Sequence, residues 1–462
     1  MFDKLVELTN DISGFLWGLP MIIMLLGTHL FLTIRLKVPQ RKLWTAIKLS
    51  VKKDEDSKGD VSQFAALATS LAATIGTGNI IGVATAVSLG GPGAVLWCWL
   101  TGVFGIATKY AEGLLAIKFR KRMPSGRMLG GPMYSLDSGL GMHWLAVLFC
   151  IFTAVASFGI GNTVQANAIS ENLVLLSEGT SLDPMHVRVV TGVVIAVAVG
   201  LVIFGGVKSI AKVCTKFVPA MSLFYILGCV YILCANREYL ADAFMLIVRD
   251  AFSNDAVVGG AAGSGLMIAA RYGIARGLFS NESGMGSAPI VAAAAQTRNP
   301  VRQALVSSTG TFWDTVVICA MTGLVIVTSI IANPDIDYSD GGLITKKAFA
   351  TIPYIGTPVL TIGIITFAFS TILGWCYYGE RAVEYLKGMK GVKIFRVFWV
   401  GAIVIGSIMS LTVVWNIADI MNALMTIPNL VSLILLSNLV ASDTQHYLWD
   451  NNLDEADDTI EK

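Results

Sequence analysis

"SLAATIGTGNIIGV", residues 70–83, decides how this chain is built. It lies in a stretch with no Asp, Glu, Lys or Arg between Asp60 and Lys109. An apolar run of that length crosses a bilayer as a helix. Its centre, "TIGTGN" (74–79), holds two glycines, two threonines and an asparagine. Glycine favours helix poorly, and Thr and Asn side chains satisfy backbone groups locally. Backbone at membrane depth pairs internally unless it is packed in protein or lines a cavity. An interruption here therefore leaves carbonyls on one half-helix and N–H groups on the next free to hold something else.

The composition agrees with a bilayer. Of 462 residues, 55% are hydrophobic and 14% charged, with mean hydropathy +0.69; a soluble domain carries about a quarter charged residues. Apolar runs predict eleven spans, near 14–34, 62–88, 92–117, 143–170, 187–206, 215–235, 263–297, 303–332, 356–378, 395–413 and 415–438. This is an all-α polytopic membrane protein of one integral domain. The leading residues are mixed in charge with no small-residue cleavage site after the first run, so that run reads as a span and not a cleaved signal. Seven cysteines lie singly with no C-x-x-C, and four histidines are far apart. The odd, scattered cysteines argue against a disulfide framework, and no metal site can be read from histidines so far apart.

Basic loops alternate with acidic or neutral ones. Residues 35–58, 118–127, the Lys208/Lys212/Lys216 stretch and 298–302 are basic, whereas 89–93, 177–184 and 333–342 are not. Positive loops face the cytoplasm, which puts the N-terminus outside and the acidic tail 439–462 inside the cell membrane. Within loop 236–262, "REYLADAFMLIVRDAF" (237–252) carries an apolar stripe at helical spacing and reads as a helix lying along the outer surface.

A second span shares the defect of the first. "RGLFSNESGMGSAPIVAAAAQT" (276–297) has glycines at 277, 284 and 286, Pro289, and "SNES" midway. Ser280 and Asn281 resemble an N-cap, with a new half-helix starting near Glu282. Each interrupted span opens a run of five, so the second run begins on the opposite membrane face. That is an inverted repeat, 62–235 and 263–438, with 14–34 outside it. Paired Gly-interrupted spans at corresponding positions point to a transporter's midplane site.

Residues 68–112, "FGIGNTVQAN" (158–167), 276–297 and "FSTILGWCYYGER" (369–381) together resemble the signature of the alanine or glycine:cation symporter family, over nearly the whole chain. The resemblance implies a fold similar to that of the leucine transporter, with ten core helices and discontinuous first and sixth core helices. It implies sodium-coupled uptake of small neutral amino acids, chiefly alanine and glycine, with proton coupling as the alternative. On that resemblance the substrate carboxylate meets the N–H groups of Thr77 and Gly78, with Asn79 beside them and the Gln165 amide reaching in. The ammonium meets carbonyls near Gly277, Leu278 and Phe279. Sodium takes the carbonyls of Ala72, Ile75 and Phe367 and the hydroxyls of Ser370 and Thr371. The chemistry suits those roles. A carboxylate is stabilised at a helix N-terminus and an ammonium at the opposite end, and a hard cation prefers uncharged or anionic oxygen.

Intramembrane carboxylates Glu282, Asp314 and Asp419 are candidates for capping, networks or cation coupling, and Arg271 and Arg276 for snorkelling or an outer gate. A channel would need repeated charge rings or a filter shared among subunits. An intramembrane enzyme lacks support, since no H-E-x-x-H motif occurs. Neither an obligate protein partner nor nucleic acid is implied.

Overall fold

The computed structural model describes residues 2–461 apart from 53, 55, 56, 125, 254–264, 337–340, 410 and 411. The expected outer loop beyond Ser253, the first two residues of the 263–297 span, part of the acidic loop 333–342 and residues 410–411 of the 395–413 span lie outside the described residues. Those described are mostly helical; their one sheet pairs Lys121–Arg122 with Met128–Leu129.

Among the described residues, eight helices are long and apolar enough to cross a membrane: Val6–Arg35, Ala94–Lys118, His143–Leu176, Pro184–Ile203, Gly206–Ala235, Pro300–Ala332, Gly356–Ile408 and Val413–Leu435. The expected 356–378 and 395–413 spans fall within the 53-residue Gly356–Ile408 run. At about 1.5 Å per residue such a run exceeds twice the hydrocarbon thickness. It is divided at Gly388, whose φ of 64° no helix tolerates.

The stretch that opened the sequence reading is bent as its composition demands. Gln63–Thr74 and Thr77–Gly90 meet at 63° across a break. Ser62 caps the first half, its hydroxyl accepting from Ala65 N at 3.2 Å.

The second interruption differs from expectation. The helix Gly265–Asn281 runs on through Ser280 and Asn281, so these residues end a helix and do not cap a new one. The chain then takes left-handed φ at Glu282 (53°), Gly284 (87°) and Gly286 (85°). Helical turns resume only at Pro289–Ala292, with proline at the position where its missing N–H is harmless.

Large side chains fill the interior, among them Trp375, Trp399, Tyr225, Tyr378 and Phe149, while Leu201, Ile34 and Phe398 point outward. Such an apolar exterior is what a lipid-facing surface requires. Six of the seven cysteines are buried and Cys234 is exposed, none of them in a disulfide.

At one end of the bundle the two interrupted segments are zipped together. The N–H groups of Asp60 and Val61 donate to Ala294 O at 2.8 and 3.2 Å, and Gln296 N donates to Val61 O at 2.8 Å. The Arg120 guanidinium donates to Ala295 O at 2.8 Å. The acidic tail packs over the following loop, where the Asn299 amide donates to the carbonyls of Leu453 and Glu455 at 2.9 and 2.8 Å.

Candidate functional site

At the first break the helical ladder stops at Ile75, whose N–H still reaches Leu71 O at 2.8 Å. Asn79 holds the loosened backbone. Its side-chain oxygen accepts from Gly76 N at 2.8 Å, and its amide donates to Asp314 Oδ1 at 2.7 Å. The Thr77 N–H points at Gln165 Oε1, 3.4 Å away, while the Gln165 amide is anchored on Ile160 O at 2.9 Å. Gly78 lies against the second interrupted helix; a Cβ there would sit 3.6 Å from Phe279 and from Ser280. Thr77, Gly78, Gln165 and Phe279 are thus brought together.

A second group of oxygens gathers on the other side of the same break. Thr371 Oγ1 lies 3.3 Å from Ile75 O and donates to Phe367 O at 2.9 Å; Ser370 Oγ lies 3.5 Å from Ile75 O and 2.9 Å from Phe367 O. Two carbonyls and two hydroxyls, all uncharged and buried, form a donor set fitted to a hard monovalent cation. Ala72 sits one turn before Ile75, buried on the same half-helix. Gly76 joins the two groups. A Cβ on it would stand 2.5 Å from Thr371 Oγ1 and 3.5 Å from Gln165 Oε1.

The residues expected around the ammonium are placed differently. Gly277, Leu278 and Phe279 lie inside the continuing helix, and Leu278 O accepts Glu282 N at 3.0 Å. The reason is local: the chain departs from helix three residues later than expected, at Glu282. Gly277 serves close packing, since a Cβ there would stand 2.2 Å from Thr101 Oγ1.

The three carboxylates divide. Asp314, fully buried, ties both interruptions: it accepts from Asn79 Nδ2 on one side and from Ser280 Oγ at 3.0 Å on the other, with Thr315 Oγ1 at 2.6 Å. Glu282 accepts from Trp375 Nε1 at 3.0 Å and from the Ser287 hydroxyl. Asp419 lines a cavity of about 350 Å³ with Trp17, Arg271, Arg276, Phe279 and Asn416. Trp17 meets Phe279 edge to face at 6.3 Å, between that cavity and the first break.

Sequence reasoning missed Glu112. Its Oε1 accepts from Gly284 N at 3.1 Å, Gly286 N at 3.0 Å and Asn429 Nδ2 at 2.7 Å, satisfying the N–H groups exposed by the second interruption. The signal was a carboxylate deep in an apolar span, one turn after Lys109.

Because Asp314 serves both breaks, Asp314→Ala leaves the Asn79 amide and the Ser280 hydroxyl buried without their acceptor. Each unsatisfied group costs about 1–3 kcal/mol. The expected outcome is a lower melting temperature in detergent. Asp314→Asn, which keeps one acceptor, should fall between. An unchanged melting temperature in the Ala variant would remove Asp314 from the support of the two breaks.

The profile of the Sodium:alanine symporter family matches residues 2–461. A Methanococcus maripaludis protein named sodium/alanine symporter AgcS is 48% identical over 450 residues, covering 96% of this chain and 97% of its own. A Bacillus subtilis protein named probable sodium/glutamine symporter GlnT is 35% identical over 458 residues, covering 97% and 91%. Among solved structures, MhsT in complex with L-phenylalanine matches in fold with a TM-score of 0.59 at 15% identity, covering 85% of this chain and 95% of that one. The chain belongs to the sodium:alanine symporter family, multi-pass membrane proteins that carry an amino acid with sodium as the coupling ion and are not enzymes.

Proposed function

We propose that this chain imports small neutral amino acids, alanine and glycine, by sodium-coupled alternating access. The core is read as ten helices in two inverted repeats, 62–235 and 263–438, with discontinuous first and sixth members. The 14–34 helix precedes it, making eleven spans, and the N-terminus lies outside. One observation carries the reading: Gly76 stands between the cation-type oxygens of Ile75, Phe367, Ser370 and Thr371 and the polar groups at Thr77 and Gln165. A cation and a carboxylate held on either side of one residue attract each other, so each raises the other's affinity.

The neighbours of the break support a small substrate. Phe279 lies against Gly78 and Trp17 packs edge to face on Phe279, so bulky aromatic groups crowd the first break. The sodium/alanine name of the archaeal relative supports alanine. The cavity lined by Arg271, Arg276 and Asp419 serves as the approach from outside, while the backbone zipper at Val61 and Ala295 closes the cytoplasmic end.

In liposomes, an imposed sodium gradient alone should drive accumulation of alanine and glycine. One charge crossing 100 mV supplies about 2.3 kcal/mol, equivalent to roughly fifty-fold accumulation. Uptake driven only by a proton gradient would assign coupling to protons, and uptake indifferent to both gradients would overturn symport.

A further inference from the structure

The elbow at Gly388 in the helix Gly356–Ile408 opens a groove of about 880 Å³ on the outside of the bundle. Its floor is apolar: Ile394, Phe398, Gly401 and Ile405 recur at helical spacing on one face. Ile394 is 59% exposed, Phe398 66% and Ile405 52%. At the elbow end the groove is bounded by Lys387 and Lys390, both exposed.

The neighbouring carboxylates are already engaged. Glu380 is held by Arg396 at 2.6 and 2.9 Å, and Glu384 by Arg381 and Arg127. Among the described residues no carboxylate lies within ion-pair distance of Lys387, Lys390 or Lys393. The Arg127 bridge also fixes the elbow beside the 118–127 loop, on the membrane face where basic loops gather. Two lysines without counter-ions, set at the end of a concave apolar strip in a membrane helix, form a surface with one charge sign and one long greasy floor.

We propose that this groove binds one anionic phospholipid, its phosphate between Lys387 and Lys390 and an acyl chain along Ile394, Phe398 and Ile405. Basic clusters at the cytoplasmic boundary of membrane helices recognise acidic headgroups in this way. A free phosphate would leave the apolar floor bare, and a zwitterionic lipid would leave the lysines without a net counter-charge.

Native mass spectrometry of the full chain in detergent, with phosphatidylglycerol or phosphatidylcholine added, tests this. The wild-type chain should retain phosphatidylglycerol in preference to phosphatidylcholine. Lys387→Gln/Lys390→Gln should lose about 30-fold in phosphatidylglycerol affinity, which is about 1 kcal/mol per lysine, and keep its weak hold on phosphatidylcholine. Gly401→Leu supplies the second arm. A Cβ at Gly401 meets nothing within 4 Å, so the variant fills the groove without pressing on the bundle. It should lower phosphatidylglycerol retention with both lysines intact. Soluble glycerol phosphate should not displace the lipid. Equal retention of the two lipids by the wild type, unchanged retention in the double Gln variant or in Gly401→Leu, or full displacement by glycerol phosphate would each overturn the proposal.

Discussion

Gly76→Ala should strongly weaken sodium-dependent binding of alanine while the protein still folds. The φ of −138° at Gly76 is extended backbone, open to any residue, so the demand for glycine is one of space. The added methyl would stand 2.5 Å from Thr371 Oγ1, closer than side chains approach. Thr371 is β-branched and stiff, and its hydroxyl is bonded to Phe367 O, so it yields only by leaving the cation-type oxygens. Overpacking of this kind costs about 1–3 kcal/mol, or roughly 5- to 150-fold in affinity. Gly78→Ala is the control: its Cβ would lie 3.6 Å from its neighbours, an ordinary contact, and alanine binding should survive. Adding Thr371→Ala to Gly76→Ala removes the clash, so the double variant should be no worse than Thr371→Ala alone. Sodium titration of alanine binding in the purified variants decides it, and wild-type half-saturation in Gly76→Ala would show that the Thr371 hydroxyl is remote from the cation.

Thr371→Ala alone should weaken sodium far more than it weakens amino acid at saturating sodium. Its hydroxyl hydrogen is given to Phe367 O, which leaves the oxygen lone pairs available to a cation beside Ile75 O. Losing one such contact to a charged partner costs about 1.5–3 kcal/mol, roughly 10- to 150-fold. Because the two ligands are linked, alanine binding must also weaken at limiting sodium and recover as sodium rises. Titrating sodium at fixed alanine, then alanine at high and low sodium, separates these effects. A sodium half-saturation equal to wild type would leave Thr371 as a residue bonded only to its own helix.

The first break was legible because every cause of it is local: glycines at 76 and 78, flanked by Thr and Asn, inside an uncharged run. The second was legible in existence but not in position. Ser280 and Asn281 are as common at a helix start as their hydroxyl and amide allow, yet here they close a helix, because Glu282 takes a left-handed conformation that its residue type seldom signals. The shift of three residues is what engaged the Leu278 carbonyl. The gathering of Ile75, Phe367, Ser370 and Thr371 came from family resemblance alone, since nearly three hundred positions separate the two halves and no periodicity connects them. Asp314 stood out as a carboxylate in an apolar span. That it would join Asn79 to Ser280 depends on how three helices meet, which no single stretch of sequence encodes.

The zipper between residues 60–61 and 294–296 is made of main-chain amides and carbonyls, so its hydrogen bonds are indifferent to side-chain chemistry, although the buried Ala294 and Ala295 leave space only for small residues. Drift among small residues at these positions leaves those hydrogen bonds in place. The exception is Gly59, where a Cβ would stand 2.5 Å from the Gln296 nitrogen and wedge the two strands apart. If this end is the gate proposed above, its tightness depends on the absence of a single methyl group at Gly59.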